Sequence, residues 1–477
     1  MNLPAMQTAL LDQKPSCQKI WQLRPKLLFP RSSLVRVSFI PPALQKCRKC
    51  TPQSGLNCRN KNCAFRAAIW RPFFLVPDEM KKLPLAKNER VPRNLWDRAP
   101  WNQWSFQHIR EILPTVEVWR GSGSIWELDE KETDLDHLNF TNRLGIETTI
   151  LDWLTDNFAD GITVIHRGRL CYERYFNEMN PRTLHLSQSM AKSVTSSVAG
   201  ILVERKMLDP DAPIISYLPE LSETGWKDAL LRHALDMTSG VRYVEDYEAT
   251  DSDNASIAAT DIASGWKLPS GDGPHFTCMW DQIQSLKEIV RPHGEKFEYR
   301  SIETDVIAHC MERVTQTRLA DLISEELWQP LGVEESACFT VDAGGYPLAD
   351  GGFNATLRDY SRFGQMLCQN GFANGRQIVP VKWISDTLNA NEQLFESDKN
   401  IGEDRGGYRN QFWIRDVGRQ IMMARGVFGQ LIYVDLDHDL VITRLSTWPE
   451  FVSNDRKHDD MLAVDAITNF LRTASHD

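Results

Sequence analysis

The sequence predicts an α/β (α+β) protein: an antiparallel sheet flanked by helices, with a mainly helical region inserted between two groups of strands. Three observations carry this. β-rich runs gather at residues 161–176 and again at 411–445. Between them, over about 204–376, apolar residues recur at helical spacing. A last amphipathic stretch, near Asp459–Leu471, closes the chain. Strand groups separated in this way pair across the insertion into one sheet that a helix covers.

Along the chain, residues 1–88 form a head rich in Pro, Lys, Arg and Cys, without sustained periodicity, and read as disordered. Residues 1–90 hold 17 basic and 4 acidic residues, whereas the rest of the chain is net acidic. Such asymmetry marks two parts with separate jobs. In the head, Cys47, Cys50, Cys58 and Cys63 offer four thiolates, a number that suits tetrahedral zinc. The second pair lacks the two-residue spacing, so a disordered tail, a degenerate targeting sequence and an upstream extension from a misplaced start codon are the competing readings, and a basic nucleic-acid arm is another. Residues 89–150 are a tryptophan-rich strap carrying Trp96, Trp101, Trp104, Trp119 and Trp126. That density favours packing on a core, and Ser105 is placed to cap a short helix through Leu113.

The body is expected over 151–475. Gly161–His166 and Leu170–Phe176 form a hairpin around Arg167-Gly168-Arg169. A helical repeat follows, in which Met190, Val194, Val198, Ile201 and Leu202 recur at steps of three and four. Asp305–Val314, Leu319–Leu327 and Leu357–Leu367 are further amphipathic runs. Gln411–Arg415, Gln420–Ala424, Gln430–Asp435 and Leu440–Leu445 complete the strands.

The repeat after the hairpin opens with Ser189-Met190-Ala191-Lys192, an S-x-x-K tetrad. One helical turn separates the hydroxyl from the amine, so the amine can take the serine proton and make a nucleophile. Two other S-x-x-K strings, Ser16–Lys19 and Ser264–Lys267, have no helix behind them. The site should lie between the sheet and the helical region, where substrate clefts commonly form.

Composition narrows the alternatives. The acidic body argues against broad nucleic-acid binding. No apolar run approaches a membrane span, and the N-terminal residues lack the order of a secretory signal, so a cytoplasmic location is expected. The five body cysteines, Cys171, Cys278, Cys310, Cys338 and Cys368, read as reduced thiols. No P-loop, H-E-x-x-H, G-x-S-x-G or G-x-G-x-x-G motif is present. No cofactor is expected, and the oligomeric state is left open.

Three further segments join the tetrad: Leu231–Val241 (LRHALDMTSGV), Phe297-Glu298-Tyr299-Arg300-Ser301, and Ala424–Gln430 (ARGVFGQ). Together they resemble the class C β-lactamase-like serine hydrolases, with the β-lactamase and penicillin-binding-protein fold. Trp101–Gly121, Leu357–Gly364, Asn374–Trp383 and Gly426–Val434 bring the resemblance closer to the 6-aminohexanoate-dimer hydrolases, over about 94–473. It implies Ser189 as the acylated nucleophile, Lys192 as its base and Tyr299 as a second proton-handling group. It further implies an oxyanion hole from the backbone N–H groups of Ser189 and Val427, and substrate contacts at Tyr247, Ser301 and Gly426.

Burial beside a tyrosine is expected to lower the Lys192 pKa. Departures bear on substrate: Ser301 stands where relatives often have Asn, Ala424 where they have Lys or His, and Phe428 where the nylon-oligomer group has His. The implied reaction is hydrolysis of small linear amides. A carboxylesterase, a β-lactamase or D-Ala-D-Ala peptidase, and a non-catalytic binding module are the alternatives.

Overall fold

Along Gln430–Asp435, side chains alternate between two hydrophobic cores. Ile432 and Val434 enter one, Leu431 and Tyr433 the other. A strand buried on both faces belongs at the centre of a three-layer structure, and that is its position. The computed structural model describes residues 91–248, 253–269, 275–395 and 405–473. The head, with Cys47, Cys50, Cys58 and Cys63, lies outside the described residues.

Among the described residues the large sheet has eight strands: β1 (Asp129–Glu130), β2 (Ala159–His166), β3 (Arg169–Tyr175), β4 (Gly407–Arg409), β5 (Phe412–Asp416), β6 (Ile421–Gly426), β7 (Gln430–Asp435) and β8 (Leu440–Ser446). Their order across the sheet is β4-β5-β6-β7-β8-β2-β3-β1. The hairpin and the C-terminal strands pair across the insertion, with Ile442 opposite Val164. All pairings are antiparallel except β1 with β3, which run parallel. The two-residue β1 and three-residue β4 are too short to show a period, and the sequence reading passed over both.

Four helices matter for the site: α1 (Met190–Glu204), α2 (Ile302–Thr315), α3 (Leu357–Cys368) and α4 (Asn454–Thr473). α3 starts where the Thr356 hydroxyl accepts from the Asp359 N–H, a side-chain cap worth roughly 1 kcal/mol. It lies on one face of the sheet so closely that a Cβ at Gly364 would meet Val441 Cγ1 at 2.6 Å. α4 and the Ile150–Asp156 helix cover the other face, through Ile150, Trp153, Val464 and Ile467.

The insertion is less purely helical than its periodicity suggests. Thr115–Val118, Ala337–Thr340, Phe353–Ala355 and His185–Leu186 form a second, antiparallel sheet of four strands. The strand His185–Leu186 runs directly into the nucleophile segment, and Ser187 N–H donates to Phe353 O at 2.9 Å. The strap also departs from expectation. In place of a helix through Leu113 there is one turn at Asn102–Ser105 and another at Ile109–Glu111. Trp96 is fully buried against Trp266, at 5.2 Å between ring centroids, whereas Trp119 is 51% exposed. All five body cysteines are free thiols. No helix among the described residues is long and apolar enough to cross a membrane.

Candidate active site

Ser189 stands at the N-terminal end of α1. The residue before it, Gln188, has φ +49°. Left-handed backbone at a non-glycine residue costs energy and gathers at functional turns; here it swings the chain sharply from the small sheet into the helix. Lys192 lies one turn on and is 1% exposed. Its Nζ donates to Ser189 Oγ at 3.0 Å and to the Asp350 carbonyl oxygen at 2.7 Å. Behind it, the Ser193 and Ser196 hydroxyls bond the carbonyls of Gln411 and Asn410 at 2.8 and 2.6 Å. The helix is thereby fastened to the loop between β4 and β5.

Tyr299 comes from a separate segment, anchored by Glu298 N–H to Met237 O at 2.9 Å. Its ring stacks on Trp413 at 5.4 Å and meets Tyr408 edge-on at 6.0 Å. The Lys192 ammonium sits 5.2 Å from the centroid of the Tyr299 ring. The phenol hydroxyl interacts with both the Ser189 hydroxyl and the Lys192 amine. Tyr299, more than a hundred positions away in sequence, thus joins Ser189 and Lys192 at one spot.

The electrostatics correct one expectation. Burial does push the Lys192 pKa down, but Tyr299, Asp350, Glu245 and Asp305 push it up, and the amine is held above its ordinary range. Burial in turn raises the carboxyl pKa values of Glu245, Asp305 and Asp350. The sequence could not show this, because the acids lie 53, 113 and 158 positions from Lys192. Burial also raises the Tyr299 phenol, against the opposing pull of Lys192.

Val427 follows the last residue of β6 and lines the same cleft as Ser189. The next residue, Phe428, has φ +62°. Gly426 has no room for a side chain: a Cβ there would lie 2.5 Å from the Ser187 carbonyl oxygen and 3.0 Å from Gln188 Cβ. The glycine lets the end of β6 press against the turn that carries the nucleophile. Gly426 and Tyr247 both line the cleft. Tyr247 stacks on Phe451 at 5.3 Å, with 20° between the ring planes. Ser301 is buried at the start of α2, and its hydroxyl donates to Glu245 Oε1 at 2.5 Å.

Ser189 opens onto two cavities. One, of about 340 Å³, is walled by Tyr299, Trp413, Arg425, Gly426, Val427 and Phe451. The other, of about 320 Å³, lies on the Lys192 side and includes Asp97, Asp261, Trp266 and Leu348. Tyr247, Val427 and Phe451 border both. Arg425 lines the first, and its guanidinium contacts Met461 Sδ at 3.5 Å. Ala424 is 1% exposed within β6, and Phe428 is packed among Phe106 and Phe451. Sequence reasoning missed Glu245 and Asp350; neither belongs to a motif, and only the fold places them beside Lys192. Among the described residues, no group of three or more His, Cys, Asp or Glu side chains is arranged to hold a metal ion.

Comparison with known proteins identifies the family and the fold. The beta-lactamase family model matches residues 157–466. The 6-aminohexanoate-dimer hydrolase of Paenarthrobacter ureafaciens is 30% identical over 358 residues, covering 74% of this chain and 88% of that protein. A Bacillus anthracis structure, provisionally named a 6-aminohexanoate-dimer hydrolase, superposes with a TM-score of 0.74 at 29% identity, over 81% of this chain and 98% of the other. EstCE1, a hydrolase with promiscuous acyltransferase activity, shares the fold, with a TM-score of 0.52 at 16% identity over 66% of this chain and 96% of its own.

Proposed function

Because the chain belongs to the beta-lactamase family of serine hydrolases, we propose that it hydrolyses small linear amides, of the ω-amino-acid oligomer type, through an acyl-enzyme on Ser189. The observation that carries the reading is the meeting of Ser189, Lys192 and Tyr299 where two cavities join. A substrate with an arm on either side of its scissile bond can place one arm in each.

The chemistry follows from the positions. Ser189 Oγ attacks the amide carbon while its proton passes to the Lys192 amine, which must first have lost its own. Negative charge grows on the carbonyl oxygen. Backbone N–H groups of Ser189 and Val427 would meet it, with the positive end of α1 adding to the field. The C–N bond then breaks as Tyr299 passes a proton to the leaving amine. Water attacks the resulting ester, and the same groups return the proton to Ser189.

The substrate class draws support from what surrounds the cleft. Ala424 and Phe428, where relatives often carry Lys or His, are both buried and uncharged, so neither position offers a cation to a β-lactam carboxylate. Arg425 is placed to meet the carboxylate end of an extended amide. We place the enzyme in the cytoplasm, acting on a small molecule, with no role for nucleic acid or membrane in the catalytic body. The test is a panel of matched amide, ester and β-lactam substrates given to the protein and to Ser189→Ala. Amide or ester turnover that vanishes in the variant supports the reading, and rapid cephalosporin turnover overturns the substrate class.

A further inference from the structure

Part of the wall of the second cavity at Ser189 comes from far upstream. Asn94, Leu95, Asp97 and Arg98 all line that cavity, and they lie ahead of residues 157–466, the stretch that the family model matches. The segment is zipped to residues 265–268. The Arg93 guanidinium donates to the carbonyl oxygens of Gly265 and Trp266, and the Trp96 indole N–H donates to the same Trp266 oxygen at 2.9 Å. The Asn94 side chain takes the Leu268 N–H at 2.8 Å and gives an N–H to the Leu268 carbonyl at 3.3 Å. The Lys267 ammonium bonds the Asp97 carboxylate. Further along, Arg98 donates to the Tyr247 carbonyl at 3.2 Å and lies 4.1 Å over the centre of the Phe451 ring. Tyr247 and Phe451 border both cavities, so the segment is fastened at the partition as well as along its length.

The two cavities take different arms of a substrate. Tyr299 hands a proton to the leaving amine in the reaction above, so the scissile nitrogen faces Tyr299. Tyr299 walls the first cavity and is not among the described residues that wall the second. The amine arm therefore enters the first cavity and the acyl arm the second. Within the second, Trp266 and Leu348 are buried, whereas Leu95 and Leu268 are 48% and 54% exposed. Their exposure puts the two leucines at its mouth. Apolar surface thus runs from the interior outward, which suits a chain of methylene groups that gain by leaving water.

We propose that residues 94–98 form the outer wall of an acyl-arm pocket, and that Leu95 is the residue that selects straight-chain acyl groups long enough to reach it. The proposal rests on the serine-hydrolase reading above. An acetyl group stays beside Ser189 and does not meet Leu95; a hexanoyl chain runs outward past Trp266 and covers it. The hydrogen bonds that fasten the segment come from the side chains of its neighbours, so a changed side chain at 95 leaves them in place.

The experiment uses the full chain and anilides that lengthen one arm at a time: acetanilide, hexananilide for the acyl arm, and para-hexylacetanilide for the amine arm. The readout is the ratio of kcat/KM for each lengthened anilide to that for acetanilide. The acyl-arm ratio should fall about threefold in Leu95→Ala, which withdraws apolar surface, and about tenfold or more in Leu95→Asp, which sets a charge against the chain. The amine-arm ratio should hold in both variants. An acyl-arm ratio that stays constant across the wild type and both variants would overturn the proposal. So would an amine-arm ratio that falls as far as the acyl-arm ratio or alone. If Leu95→Asp does not fold, Leu95→Ala decides by the same ratios. Wild-type protein without Ser189-dependent turnover of any of these anilides would instead overturn the functional reading on which the proposal stands.

Discussion

Lys192 Nζ lies 3.0 Å from Ser189 Oγ in a position that water scarcely reaches. A buried amine so close to a hydroxyl has no structural need that a leucine would not serve more cheaply. Replacing Lys192 with Ala, or Tyr299 with Phe, should lower kcat by at least ~10²-fold, the scale of lost general acid–base catalysis. Stopped assays with unchanged circular dichroism check this. Near-normal turnover in either variant would show that the proton-transfer groups are misassigned.

The same pair sets the pH dependence. Lys192 is held above its ordinary range by Tyr299 and the neighbouring carboxyls, against its burial. A base with a raised pKa is scarce in its free form at neutral pH. Acylation should therefore speed up with pH, by about tenfold per unit below the lysine pKa. The profile of kcat/KM between about pH 6 and 10 reads this directly. A plateau beginning near neutrality would mean that the amine already rests uncharged.

Gly426 is expected to tolerate no side chain. In Gly426→Ala the new methyl would lie 2.5 Å from the Ser187 carbonyl oxygen, so either β6 or the nucleophile turn must shift. Overpacking of this kind costs roughly 1–3 kcal/mol, and it would move Val427 relative to Ser189. The expected outcome is a lower Tm together with a kcat reduced by about tenfold or more, because oxyanion donors work only when aimed. Full activity would remove Val427 from the oxyanion site.

These cases show what the sequence made legible. The Ser189 tetrad, the strands flanking the insertion and helix α3 stood out because their apolar periods are long and regular. Tyr299 and Val427 emerged through resemblance, because single residues on loops carry no period. Glu245, Asp305 and Asp350 stayed hidden: a carboxylate reads as surface until the fold buries it. That is why the direction of the Lys192 shift was misread, since burial was weighed without the acids that oppose it. The strap misled for a related reason. Its tryptophans signalled packing, and Trp96 packs fully, but Trp119 does not, and the local turns follow contacts with Trp266 and Trp448 rather than a helical repeat.

Acid stability should depend on His309, which lines neither cavity at Ser189. Its ring lies between Trp280 and Tyr346, each at 4.8 Å between centroids. Burial lowers its pKa to about 4. The unfolded chain binds the proton near pH 6.5, so neutral His309 stabilises the fold above that pH. This contribution fades between pH 6.5 and 4, by up to about 3 kcal/mol. Urea melts of the protein and of His309→Gln at pH 7 and pH 4.5 test the sign. The variant should be less stable at pH 7 and lose less on acidification; parallel losses would contradict the assignment.

Substrate preference follows from the buried Ala424 and Phe428. Penicillins and cephalosporins should turn over at least ~10²-fold more slowly than a linear amide or ester of similar size, because neither Ala424 nor Phe428 supplies the cation that Lys or His would. Steady-state kinetics on the three classes decide it, and comparable kcat/KM values would show that Arg425 fills that role.

The central claim is covalent catalysis at Ser189, and peptide mass spectrometry after reaction with a serine-directed phosphonate tests it most directly. The account predicts one adduct, on the peptide carrying Ser189-Met190-Ala191-Lys192, formed in step with loss of activity and absent in Ser189→Ala. An adduct on Ser16 or Ser264, or turnover that survives Ser189→Ala, would contradict it.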